Sequence, residues 1–173
     1  MTLTSTAGKS SNQNGFTLAE VAIVTLLLAL FAGFVMPRML HFGDSDLSRS
    51  SRYLAGTAKY LYSEAVLTGL EHRLVFSLDG NRYMAKKVAV DGNVVDVEGR
   101  ATERSLTGEA RFKDVQIDGR GSFSRGEINV VFLPSGWVDQ TTIHLVDGDG
   151  ANLTLLLDSL TGSLETFQGY QEF

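Results

Sequence analysis

Gly15-Phe16-Thr17-Leu18-Ala19-Glu20-Val21 is the stretch on which the reading of this chain turns. A polar leader ends at the glycine, and a near-continuous apolar run starts at Phe16, interrupted by one carboxylate at Glu20. A carboxylate beside an apolar span is costly, on the order of 2.5–3.5 kcal/mol at a helix centre on insertion scales. A residue kept at that cost is expected to have a use.

Working outward from the junction, residues 1–15 are rich in Ser, Thr, Asn and Gly, with Lys9 as the single charged side chain. An ordinary secretory signal carries its apolar core before the cut; here the apolar core follows the glycine. Phe16–Met36 covers 21 residues. At about 1.5 Å per residue a helix of that length spans roughly 31 Å, against a bilayer core of about 30 Å. Past Glu20 the run to Met36 holds no charge, and Thr25 and Gly33 are its non-apolar positions. A buried core helix is the other reading of such a run; its length and purity favour a membrane span. Lys9 places the leader on the cytoplasmic side, but Arg38, Arg49 and Arg52 follow the span, so charge alone does not fix orientation.

About 137 residues remain beyond the span, enough for one domain with its own core. There is no cysteine, so an extracytoplasmic domain relies on packing alone. The net charge of −5 becomes −6 when Lys9 leaves with the leader. That balance argues against nonspecific nucleic-acid binding.

Pro37 lacks the amide of a helical hydrogen bond and marks a kink between residues 16–36 and a second helical segment in 37–70. Asp44 or Ser45 caps that second segment and Gly69 stops it. Within it Leu47, Ser51, Leu54, Ala58, Leu61 and Ala65 recur at helical spacing, a face that should lie on a sheet. From residue 71 the period falls to two. Strands are expected at 73–78, 82–88, 94–97, 112–117, 128–133, 141–146, 152–157 and 163–167, with 98–109 as a loop. Turns at Asp79-Gly80-Asn81, Asp91-Gly92-Asn93, Pro134-Ser135-Gly136 and Gly148-Asp149-Gly150 separate several of them. The fold class is therefore α+β: a long amino-terminal helix, apolar then amphipathic, packed on an antiparallel sheet or small sandwich over 71–173.

Gly15-Phe16-Thr17-Leu18-Ala19-Glu20 resembles the class III signal of type IV prepilins and type II secretion pseudopilins. The resemblance implies cleavage by a prepilin peptidase between Gly15 and Phe16, N-methylation of Phe16, and retention of the apolar helix as membrane anchor and filament core. Pro37 falls where the family often has a proline. Ala19 and Val21 stand where leucines are frequent in the family. The cleaved Phe16 would carry a free amine one helical turn from Glu20, and an ammonium and a carboxylate lower each other's cost in a low dielectric. By resemblance the amine comes from a neighbouring subunit and sets axial register; otherwise Glu20 simply reaches the headgroup region.

The later chain is similar to the H-type pseudopilins and their FimT-like relatives in Arg73-Leu74-Val75-Phe76, Arg82-Tyr83, Phe132-Leu133-Pro134-Ser135-Gly136 and Leu155-Leu156-Leu157-Asp158. That likeness implies a noncatalytic minor pseudopilin of a type II secretion system in the inner membrane, with its globular domain in the periplasm. Its partners would be other pseudopilins, the peptidase, an inner-membrane assembly platform and lipid. A minor type IV pilin for pilus assembly or DNA uptake is the alternative.

Little in the sequence points to catalytic or metal chemistry. Gly8-Lys9-Ser10 lacks the first glycine of a phosphate loop. His41, His72 and His144 have no metal-ligand spacing and read as surface or sheet histidines. Ser135 reads as a turn residue, and Asp147-Gly148-Asp149-Gly150 as a hairpin turn in preference to a calcium loop. Phe132 and Trp137 read as core in preference to a binding surface. Arg120 and Arg125, in the glycine-rich 119–126 segment, read as part of a solvated mobile loop in preference to a contact for a partner or DNA. No cofactor, metal or catalytic residue is expected.

Overall fold

The computed structural model describes residues 17–40, 45–97 and 103–173, with side chains left undescribed over 32–40. The chain divides into two units, Met1–Phe42 and Gly43–Phe173.

The first unit holds helix α1, Leu18–Leu40. Its helical backbone continues through Pro37, and the next helix begins only at Asp46. Every described side chain of α1 is exposed, including Leu18 at 91% and Phe31 at 68%. A helix apolar on all sides is at home only in an apolar surrounding. Thr25 hides its hydroxyl by donating back to the Val21 and Ala22 carbonyls at 2.9 and 3.0 Å. Among the described residues no helix is long and apolar enough to cross a membrane, the described side chains of α1 stopping at Phe31.

The second unit opens with α2, Asp46–Thr68. Ser45 caps it by accepting the Ser48 amide at 3.2 Å, and Gly69, at φ 69°, ends it by donating to the Ala65 carbonyl. Leu47, Ser51, Leu54, Ala58, Leu61 and Ala65 are all buried, as their spacing requires, and Ser50 joins them. Ser50 is buried because its hydroxyl accepts the Thr107 amide at 2.9 Å, while the Asp46 carboxylate takes the Glu109 amide at 3.1 Å. Between those two anchors Gly108 runs so close to Asp46 that a Cβ has no room.

Among the described residues ten strands follow: β1 (His72–Ser77), β2 (Arg82–Val88), β3 (Val94–Asp96), β4 (Arg104–Ser105), β5 (Arg111–Ile117), β6 (Gly121–Phe123), β7 (Glu127–Phe132), β8 (Thr141–Val146), β9 (Asn152–Leu157) and β10 (Leu164–Gln168). They form two antiparallel sheets. Sheet A has the order β3-β2-β1-β7, with β4 also paired to β2; sheet B has the order β10-β9-β8-β5-β6. The chain thus leaves sheet A for β5 and β6, returns for β7, and ends in sheet B. Leu74, Phe76, Tyr83, Val130 and Phe132 from sheet A and Val115, Ile143, Leu145, Leu155 and Leu157 from sheet B join the buried face of α2 in one core. Each fully buried side chain of this size contributes about 1.5–3 kcal/mol. Helix α2 lies against β1 and β7 of one sheet and β10 of the other. The α+β expectation therefore holds, with two sheets.

Two strands were absent from the sequence reading. β4 lies inside the expected 98–109 loop, and β6 inside the glycine-rich segment. Both are very short, too short for a two-residue period to show.

Candidate functional site

At the start of α1, Thr17 and Glu20 hold one another. The Thr17 amide and hydroxyl both donate to Glu20 Oε2 at 2.9 Å, and the Glu20 amide donates to Thr17 Oγ1 at 3.2 Å. This is a capping box, in which a Thr-x-x-Glu segment satisfies amides that the first helical turn leaves open. The Thr17-Leu18-Ala19-Glu20 spacing carries that signal in the sequence itself. The carboxylate is exposed, at the end of a helix whose macrodipole favours a negative charge there. Gly15 and Phe16 lie outside the described residues, as do His41 and Lys9.

The remaining residues singled out by sequence disperse. His72 and His144 are buried in β1 and β8. His72 Nδ1 meets the Leu70 carbonyl at 3.0 Å. His144 Nδ1 meets Asp114 Oδ1 at 2.7 Å and its Nε2 meets the Gln171 carbonyl at 2.8 Å. A register shift between Phe112 and Asp114 turns Asp114 outward, opposite His144. Both nitrogens of the ring are thereby occupied, and no side-chain hydroxyl bonds to either. Among the described residues no group of three or more His, Cys, Asp or Glu side chains is placed to hold a metal ion. Ser135 lies exposed in the turn between β7 and β8. The Asp147 carboxylate accepts the Asp149 and Ala151 amides at 3.1 and 2.8 Å, the bonding of a hairpin turn.

Two expectations need correction. Phe132 is core, but Trp137 is 50% exposed, in a turn closed by the Leu133 amide on the Trp137 carbonyl at 2.8 Å. Arg120 does not belong to a solvated mobile loop. It reaches from the β5–β6 turn to the open edge of β7, donating to the Asn129 carbonyl at 2.7 Å and the Asn129 side chain at 3.2 Å. It also pairs with Asp139, which accepts the Val131 amide at 3.1 Å. These two side chains satisfy backbone groups that an edge strand otherwise leaves bare. Arg125 is exposed.

Comparison with known proteins agrees with both ends of this description. Residues 10–36 match the family described as the prokaryotic N-terminal methylation motif. The fold is that of the minor pseudopilin EpsH from the type 2 secretion system of Vibrio cholerae, with a TM-score of 0.62 at 14% identity over 75% of this chain and 100% of that one. A further crystal structure of EpsH gives 0.59 at 15% identity, over 74% of this chain and 97% of that one. The solution structure of Escherichia coli GspH gives 0.55 at 13% identity, over 72% and 89%. No curated protein matches the chain by sequence. The matched motif overlaps the first part of α1, and the globular part has the fold of the minor pseudopilins EpsH and GspH.

Proposed function

We propose that this chain is a minor pseudopilin, a noncatalytic structural subunit of the periplasmic filament of a type II protein secretion system. The observation that carries the reading is the joining, in one chain, of the methylation motif at residues 10–36 to a domain with the EpsH fold. Prepilin peptidase removes residues 1–15 and Phe16 becomes the methylated amino terminus. The apolar residues of α1 hold the subunit in the inner membrane before assembly and in the filament core afterwards. Glu20 meets the Phe16 amine of a neighbouring subunit, leaving its cap on Thr17 to do so. Pro37 gives that helix a bend. The second unit faces the periplasm and makes lateral contacts with other pseudopilins.

The charges on that unit support protein partners rather than nucleic acid. Arg73 is paired with Glu71, Arg82 with Glu103, Lys86 with Asp96 and Arg120 with Asp139. Cations engaged this way are poor counterions for phosphates.

The test is mass spectrometry of the protein recovered from membranes of a secreting bacterium, joined to a secretion assay in a strain lacking the gene. The expected protein begins at N-methylated Phe16, and the deletion halts release of secreted enzymes. A mature protein starting elsewhere, or undiminished secretion, defeats the proposal.

A further inference from the structure

The solvent side of α2 opens with a concentration of positive charge. Arg49 precedes Arg52 by three positions and Tyr53 by four, so the three share one side of the helix. All three are exposed, whereas Leu47, Ser50, Ser51 and Leu54 are buried. Arg104, exposed on β4, joins them: its guanidinium carbon lies 4.1 Å from the centre of the Tyr53 ring. Between Asp46 and Glu64 the helix carries no acid. The Asp46 carboxylate is taken by the Glu109 amide, and Glu103, next to Arg104, is paired with Arg82. Among the described residues none of Arg49, Arg52 and Arg104 is paired with a carboxylate, unlike the four cations bound in ion pairs elsewhere on this unit.

The chemistry of this face suits a phosphate. A guanidinium stacked on an aromatic ring uses its flat face and leaves its N–H edge free, and that edge can give a phosphate two parallel bonds. Tyr53, 46% exposed, adds a ring with an apolar body and a polar tip, the kind enriched where protein meets the membrane–water boundary. Position in the chain then selects among sources of phosphate. The apolar helix α1 ends at Leu40 and α2 starts at Asp46. Six residues of chain reach at most about 22 Å. A bilayer that holds α1 therefore presents its headgroups to this face at high effective concentration, an advantage that no free nucleic acid shares.

We propose that the face formed by Arg49, Arg52, Tyr53 and Arg104 is a contact for anionic phospholipid headgroups. The proposal rests on the reading of α1 as a membrane anchor and adds a second, electrostatic hold on the bilayer. Basic side chains near an anionic surface are attracted within about one Debye length, roughly 8 Å at physiological salt. The contact is therefore reversible: it orients the anchored subunit and is released as salt rises.

The chain has no cysteine, and a Cβ at Gly56, three residues past Tyr53, meets nothing within 4 Å, so Gly56→Cys accepts a single fluorescent label beside this face. The labelled full-length chain is placed in phosphatidylcholine nanodiscs bearing a headgroup-linked acceptor, with and without phosphatidylglycerol as about a third of the lipid. Energy transfer should rise at least about threefold with phosphatidylglycerol and fall back in about 1 M salt, where screening is nearly complete. The combined Arg49→Gln, Arg52→Gln and Arg104→Gln variant should lose the rise while keeping the wild-type circular dichroism. Equal transfer in both lipids, with the chain retained in both discs, overturns this proposal and leaves the anchor standing; a chain retained in neither overturns the two together. A rise that survives the triple substitution overturns the assignment of these residues. An equimolar DNA duplex that abolishes the rise makes nucleic acid the preferred partner and overturns the lipid assignment. Should the triple variant lose its fold, Arg52→Gln alone must lower the rise, and an unchanged rise overturns the proposal.

Discussion

Thr17 gives both its amide and its hydroxyl to a single oxygen of Glu20, each at 2.9 Å, and receives the Glu20 amide in return. The carboxylate at the head of the apolar helix is thus already employed within its own chain. Any pairing with a neighbour's amine competes with this cap.

That competition separates two substitutions. Glu20→Gln preserves the capping box, in which glutamine serves as well as glutamate, but removes the charge. Glu20→Ala removes both. If charge pairing registers the subunits, both variants are processed normally and both fall by at least about tenfold in filament incorporation, a change of about 1.4 kcal/mol. Incorporation is measured on sheared filaments. Normal assembly by Glu20→Gln would leave capping as the residue's whole role.

Processing is probed independently by Gly15→Val. A branched side chain before the scissile bond should block cleavage, so the recovered protein retains its 15 leader residues, read as a mass difference. Loss of the leader from this variant refutes the assigned cleavage site.

Arg120→Ala should destabilise the domain by about 1–2 kcal/mol, read from thermal unfolding. Its exposed ion pair with Asp139 contributes little, so the loss comes chiefly from the charge-assisted bond to the Asn129 carbonyl. Arg120→Lys restores part of the loss, because an ammonium can reach that oxygen but cannot also take the Asn129 side-chain oxygen as the second arm of a planar fork does.

Tyr83→Phe should be neutral, or stabilising by up to about 1 kcal/mol. The Tyr83 hydroxyl is buried and finds no hydrogen bond of full geometry among the described residues. The nearby Thr57 hydroxyl donates to the Tyr53 carbonyl at 3.0 Å. Burial pushes the Tyr83 pKa up, with Thr57 and the Arg104 charge opposing it. A marked drop in the unfolding temperature of Tyr83→Phe would mean that this hydroxyl has a partner in solution.

Acid sensitivity should track Asp158. In the β9–β10 turn its carboxylate accepts the Thr161 hydroxyl at 2.7 Å, the Thr161 amide at 2.8 Å and the Leu160 amide at 3.1 Å. The Thr161 bonds hold its pKa below the usual carboxylate range. A depressed folded-state pKa gives stability that is fully present above the unfolded value, about 3.9, and is lost as pH falls through the folded one. Asp158→Asn therefore melts lower at neutral pH and shows a shallower decline below about pH 4. Parallel curves for the two proteins at all pH values would refute the assignment.

The face of α2 was legible because helical spacing is a local property. Residues three and four apart share a side whatever follows, and all six positions read from the sequence are buried. The first hairpin was legible for the same reason, Asp79-Gly80-Asn81 lying between alternating strands that pair as β1 and β2. The role of Arg120 was not. Its partner Asn129 is nine residues on and belongs to the other sheet, and glycines on both sides made the segment read as a loop. Nor was the meeting of Asp114 with His144, 30 residues apart, since it depends on a register shift in β5 that no periodicity announces. Trp137 was misread because an aromatic beside strands is usually core.

By itself, then, the sequence determined what covalent neighbours settle: an apolar helix with one acid near its head, an amphipathic second helix, and strands cut by tight turns. Each follows from side-chain spacing and backbone preference over a few residues. Only the tertiary structure decided which outward-facing polar groups meet across strands, which edge is sealed and where the chain's end comes to rest. Those contacts turn on register and sheet order, which join residues far apart in the chain and leave no repeating trace within either segment.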